Sequence, residues 1–301
     1  MVLKRWFYFL SLLIGASIAL IGHAVRAEVL FEGYSKVLSG GVHVGYSIAR
    51  YEYDPKKRNF IATTFLKTGE AGGNLTESLK AFATDDMKPV SYQYTTLIGN
   101  QVKAIDAKFE KGKILASVKD GDKNEKISKE VPKGAFLSSF LAYVMLKSPQ
   151  GLKADTKYDF QAIAEEDAAL YKGIAFVKNP EDFNGIKSFR VLNEFKGTKF
   201  VSMVSERGEV LSTKSPVQGI ATELVAKPSE ATGTFPVPAS TLKTLFGDVP
   251  TGQMNEVSRR AQGKPTAFPQ TPEPPTKQQG VPGGKGIQIK GSPAQPQGEG
   301  Q

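Results

Sequence analysis

Apolar and polar residues alternate along most of this chain with a period of two. In "GVHVGYSIARYEYDP", Val42, Val44, Tyr46 and Ile48 share one phase, with His43 and Ser47 in the other. That period places successive side chains on opposite faces of a strand. Asp54-Pro55 and the residues up to Asn59 form a turn, and "NFIATTFLKTG" returns as the next strand. "LTESLKAFATD" reads as a strand too, because Leu79, Ala81 and Ala83 oppose Lys80 and Thr84. "VSYQYTTLI" alternates Val90, Tyr92 and Tyr94. Three short strands follow around Glu110-Lys111-Gly112 and Asp120-Gly121-Asp122, where glycine supplies the left-handed turn conformation. A second series runs from "KYDFQAIAEED" to "GIATELVAKP", with turns expected at Pro180-Glu181, Lys196-Gly197 and Arg207-Gly208. The pattern predicts a mainly β fold: a curved antiparallel meander, a half-barrel of about eleven to thirteen strands.

One stretch breaks the alternation. From Gly134 to Lys147, inside "GAFLSSFLAYVMLKSPQGL", apolar residues crowd at helical spacing between Pro132 and Pro149. Leu137, Phe140, Leu141 and Val144 share a face, and Phe136 and Tyr143 widen it. Met145 and Leu146 fall on the other side, near Ser138, Ser139 and Ala142. A helix that is apolar nearly all round is buried on most sides. At roughly 20 Å it is too short to cross a bilayer core of ~30 Å. Two roles follow: a plain core helix, or a lid over an apolar pocket in the sheet's concave side. The candidate ligand-binding set is Phe136, Leu137, Phe140, Leu141 and Val144, with Tyr46, Tyr92 and Tyr94 adding polar groups to an apolar surface.

The segments "SLKAFATDDMKPVSYQYT" and "FVSMVSERGEVLSTKSP" carry a resemblance. A strand from Lys88 to Tyr92 leaves a turn, and a late hairpin starts a strand at Gly208 to Leu211. Together with the leader and the single apolar helix, this resembles the bacterial lipoprotein-carrier-like half-barrels. These comprise the periplasmic lipoprotein carriers and several secreted families of unknown function. The resemblance spans roughly Phe31 to Val225 and contains no catalytic motif. It implies a half-barrel with an apolar concave side and a helix lid. The long Pro/Gly tail is not part of that pattern.

The ends of the chain differ from its body. Residues 1–27 read as a secretion signal: Lys4 and Arg5, an apolar run from Trp6 to Ile21, then Val25 and Ala27 ahead of a cleavage point before Glu28. No cysteine follows, so it is not a lipoprotein signal. Residues 28–250 form one β-rich domain, large enough for a single core. Residues 251–301, rich in Pro, Gly and Gln, are expected to be a disordered tail acting as linker or tether. This organisation places the protein in the periplasm or outside the cell of a Gram-negative bacterium. Once the signal is cleaved, no transmembrane segment is expected. The chain has no cysteine, which excludes disulfides and thiolate chemistry. Its net charge of +9 is spread thinly between signal, body and tail, so no nucleic-acid partner is expected.

Candidate chemistry is sparse. His43 is the only histidine after the signal, so no metal site of the usual nitrogen and sulfur kind is expected. No Gly-x-Ser-x-Gly elbow is present. Glu165, Glu166 and Asp167 read as a solvated turn, since neighbouring strand residues point to opposite faces. "DGDKNEK" from Asp120 reads as a hairpin turn rather than a calcium loop. No cofactor is expected. The sequence points first to a non-catalytic binding module for a lipid, an acyl chain or a lipidated protein. A packed-shut scaffold, whose tail contacts an envelope partner, is the alternative. A carboxylate-dependent hydrolase is least supported.

Overall fold

The computed structural model describes residues 27–263 and the short strand Gly291–Pro293. The signal segment before residue 27 lies outside the described residues, as does the tail beyond 263 apart from that strand.

Two meanders make one sheet. The first runs from β1 (Glu28–Ser39) and β2 (Val42–Asp54) through β3 (Asn59–Thr68), β4 (Leu75–Thr84), β5 (Pro89–Ile98), β6 (Gln101–Glu110) and β7 (Lys113–Asp120) to β8 (Lys123–Glu130). The second runs from β10 (Thr156–Ala164) and β11 (Ala169–Phe183) through β12 (Ile186–Phe195), β13 (Thr198–Ser205) and β14 (Val210–Ser215) to β15 (Ile220–Val225). Each strand pairs antiparallel with its predecessor, and β1 pairs with β15 to join the two. Between the meanders lie β9 (Phe136–Leu137), a 3-10 turn at Ser138–Phe140 and helix α1 (Leu141–Lys147). β9 pairs parallel with β10, and β16 (Gly291–Pro293) pairs antiparallel with the same strand. The C-terminal part adds α2 (Pro228–Thr232), α3 (Ala239–Phe246) and α4 (Glu256–Ala261).

The alternation has its expected effect. In β7, Ile114, Ala116 and Val118 are buried between exposed neighbours. Lys111 and Gly112 take φ values of 50° and 76° in the turn before it, the left-handed pair that a two-residue hairpin requires. The sheet curls strongly: Tyr92 and Ile105 of the first meander share one buried cluster with Ala175 and Val191 of the second. Residues 136–147 fill the space between them. Phe136 packs on Phe160 with ring centroids 5.5 Å apart, and Tyr143 lies 5.0 Å from Tyr51.

A second cluster sits on the other side of β1–β3. Tyr34, Tyr46, Ile48 and Phe65 are covered there by Leu242 and Phe246 of α3 and by Ala231 of α2. Buried polar groups fasten this cover. Arg50, 3% exposed, donates to Glu32 Oε2 at 2.7 Å, to the Phe246 carbonyl at 3.0 Å and to Asp248 at 2.5 Å. The other Glu32 oxygen accepts from the backbone N–H groups of Thr251 and Gly252, both at 2.6 Å. A buried ion pair of this kind needs all its lone pairs satisfied to offset desolvation.

Four expectations change. The boundary at residue 250 falls inside the fold: Asn255 caps α4 and donates to the Glu32 carbonyl at 2.8 Å. The helix expected over 136–147 is shorter, because Phe136 and Leu137 pair with the β10 edge instead. Pro180-Glu181 is no turn. β11 continues through it with a register shift after Val177, which accommodates a residue without an N–H, and turns at Asn184-Gly185. The strands number sixteen among the described residues, the excess including the short β9 and β16.

Candidate functional site

The segment entering α1 carries a small polar group inside the apolar interior. Leu137 and Phe140 are fully buried, and the backbone between them turns through Ser138 and Ser139. Glu165 opens the turn directly after β10 and is 4% exposed. Its carboxylate accepts from Ser138 Oγ at 2.6 Å and from the Ser139 backbone N–H at 3.1 Å. Burial pushes its pKa up, and those hydrogen bonds oppose the shift. From the opposite wall, the Tyr51 hydroxyl donates to the Ser139 carbonyl at 2.8 Å. The Tyr51 and Tyr143 hydroxyls are also pushed up by burial, so both stay protonated donors.

Two polar atoms here have no partner. Tyr92, 0% exposed on β5, has a buried hydroxyl without a hydrogen bond, and so does Ser139 through its Oγ. The Tyr92 hydroxyl is raised first by burial, then by the charges of Glu165, Asp167 and Glu166, so it faces the acidic turn. An unmade hydrogen bond at a buried hydroxyl costs about 1–3 kcal/mol. The group is an apolar interior with one polar end: two free hydroxyls and a carboxylate whose own bonds leave it further acceptor capacity.

The sheet leaves this interior a seam. β8 and β10 are its two flanks and do not pair with each other. In the segment between them, residues 131–155, β9 lines the β10 edge, and α1 packs inside against β2 and β3, with Tyr143 5.0 Å from Tyr51 and 5.8 Å from Phe60. Lys103 of β6 closes one end by donating to the Glu166 carbonyl at 2.7 Å. Lys196 holds the same turn from β12–β13 through Glu166 at 2.6 Å and Asp167 at 2.7 Å.

The residues singled out from sequence divide between two faces. Phe136, Leu137, Phe140, Val144, Tyr92 and Tyr94 lie in the interior cluster, and Leu141 packs against it half-buried. Tyr94 donates to Glu77 at 3.0 Å. Tyr46 does not join them. It faces the opposite side of the sheet, under α2 and α3, and donates to the Pro236 carbonyl at 3.0 Å. Burial there raises its pKa to about 12. The acidic turn also differs from expectation: Glu166 and Asp167 are ion-paired and partly exposed, whereas Glu165 is buried. Tyr51, Ser138 and Ser139 complete the group. The signal for Glu165 was its position directly after the apolar run Ala162–Ala164, at the first residue of the turn. His43 is half-buried and shares its Nε2 between the Gly45 and Ala231 carbonyls, each at 2.9 Å.

A second concavity lies on the outer face of β11–β13. It encloses about 340 Å³ and is lined by Ile174, Phe176, Leu192, Val201 and Pro216, with Lys199 and Glu194 at its rim. Leu192 remains 37% exposed and Ile174 36%. Among the described residues, no helix is long and apolar enough to cross a membrane.

No family model matches this chain, and no curated protein matches it. A solved structure, a β-barrel-like protein of domain of unknown function DUF1849 from Brucella abortus, superposes with a TM-score of 0.47 at 10% identity. The superposition covers 65% of this chain and 96% of that chain.

Proposed function

We propose that this chain is an exported, non-catalytic binding protein that holds an apolar chain with a neutral, hydrogen-bonding head inside its curved sheet. The observation that carries this reading is the unpartnered Tyr92 hydroxyl, 0% exposed, at the one polar end of an apolar interior. Apolar walls with a few convergent polar groups are the usual makeup of a small-molecule site. Glu165, with Glu166 and Asp167 beside it, disfavours an anionic head and accepts from a hydroxyl. On this reading, entry requires residues 136–147 to move away from the β10 edge and from Tyr51 of β2, the lid role expected from sequence.

One observation favours a second reading. Phe136, Leu137, Phe140, Tyr143, Val144 and Met145 are all buried, as in a permanently filled core. In that case the sheet is a closed scaffold and its contacts lie on its surface.

Native mass spectrometry of protein purified without detergent, with Tyr92→Phe beside the wild type, separates the two. The binding reading expects a solvent-extractable adduct on the wild type that Tyr92→Phe loses without a drop in melting temperature. The scaffold reading expects no adduct, and Tyr92→Phe more stable by about 1 kcal/mol because an unsatisfied hydroxyl is gone.

A further inference from the structure

The outer groove of β11–β13 lies on a face that the C-terminal part of the chain covers in part. Phe176 pairs with Leu192 and Leu192 with Val201, so the three stand side by side in one row on one face. The backbone register continues from Phe176 through Lys157 to Ser292 of β16. Lower on that face, Ile186 of β12 and Met203 of β13 share the parity of Leu192 and Val201. Those two residues are already covered, in a cluster that includes Val257 of α4. The groove therefore extends an interface that the C-terminal part has begun.

The two ends of the intervening segment are fixed on either side of it. α4 is tied to the β11–β12 turn, where Arg260 donates to the Gly185 carbonyl at 2.5 Å. The chain returns at Gly291, opposite Tyr158, and runs toward Thr156. It thus approaches β10 from the Ala164 end, whereas it left from the Gly185 end. The two described points lie along β11, one beside Gly185 and the other opposite Tyr158. The one aromatic residue of 264–290 is Phe268. Five extended residues beyond Gly263 reach roughly 17 Å, close to the ~20 Å that separates Ile186 from Leu192 along a strand.

We propose that the apolar groove of Ile174, Phe176, Leu192 and Val201 is the docking site of this chain's own segment 264–290, anchored by Phe268. The segment then continues the cover that α4 starts and brings β16 to the β10 edge.

The absence of cysteine makes the test clean. In the full chain, Phe268→Cys is combined either with Leu192→Cys or with Val102→Cys, an exposed position on the far half of the sheet. Oxidation is followed over a range of protein concentrations. Docking expects an intramolecular 268–192 disulfide at a rate independent of protein concentration, about ten-fold or more faster than 268–102, as an enforced local concentration gives. Phe268→Ser is expected to increase the binding of an apolar dye severalfold, and Leu192→Ser in the same chain to cancel that increase. Equal rates at the two positions overturn the proposal. So does a 192–268 link that forms only between chains, which would assign the groove to a second copy. An unchanged dye signal in Phe268→Ser overturns it as well.

Discussion

The outer face of β1–β3 and the outer face of β11–β13 arise from the same alternation and meet different fates. The first presents Tyr46 and Ile48, both 0% exposed beneath α2 and α3. The second presents Ile174 and Leu192, each more than a third exposed. The difference lies in the fastening rather than in the apolar residues. Over β1–β3 the cover is held by polar groups that reach through the sheet's own surface: Glu32 and Arg50, and the Tyr34 hydroxyl on the Pro250 carbonyl at 3.0 Å. Among the described residues, the charged groups lining the β11–β13 groove are Lys199 and Glu194. A strand pattern sets two faces, and the rest of the chain decides which of them becomes core.

The strongest way to break the comparison is to cut the fastening. Arg50→Ala leaves the Glu32 carboxylate buried without its cation and is expected to cost about 3–5 kcal/mol in urea unfolding. A loss below about 1 kcal/mol would mean that the cover stays on without it. Next comes a matched pair. Leu242→Ala, under the cover, is expected to lose about 2–5 kcal/mol, and Leu192→Ala, on the face without a polar fastening, about 1 kcal/mol or less. Equal losses would erase the distinction between the faces.

A smaller effect than the loss of either cover contact concerns α4. Its first backbone N–H, from Glu256, donates to the buried Glu209 at 2.9 Å. Burial raises the Glu209 pKa to about 8, with Glu256 adding to the shift and Arg207 and Arg259 opposing it. The folded value lies above the unfolded one, so the protonated form favours folding. That contribution is complete below the unfolded pKa of about 4.5 and is lost as pH rises through about 8. Unfolding free energy should therefore decline between pH 5 and pH 9. Glu209→Gln should flatten the decline and gain about 1–3 kcal/mol at pH 9. An unchanged slope would show that this fastening does not titrate.

Period-two segments were legible because each strand is amphipathic along its own length. Thus β2 through β8 lie close to where their patterns put them, and the burial of Tyr92 and Phe140 follows. What the pattern lacks is a sign for inside and outside. Tyr46 and Tyr92 look alike in sequence, yet the first is buried by helices some 190 residues away. Glu32 illustrates the same limit. Nothing local marks it as the receptor for Thr251 and Gly252, so the domain seemed to end one residue before they begin. Phe136 and Leu137 extended the helical spacing, but a vacant β10 edge offered their backbone better partners. Pro180 read as punctuation because the bulge that absorbs it forms only against β12.

The join between β1 and β15 has a consequence for how this molecule comes into being. Every other long strand finds its partner in a neighbouring hairpin, so each meander can zip up from local contacts. β1 is synthesised first, yet Tyr34 meets Val225 from about 190 residues farther along. Contacts of that separation are the slow ones in folding. Until β15 arrives, one edge of β1 stays open, and the helices that seal Tyr34 and Tyr46 come later still. The chain's completion is thus built into its maturation: a product truncated before β15 lacks the strand pairing that makes the two meanders one sheet.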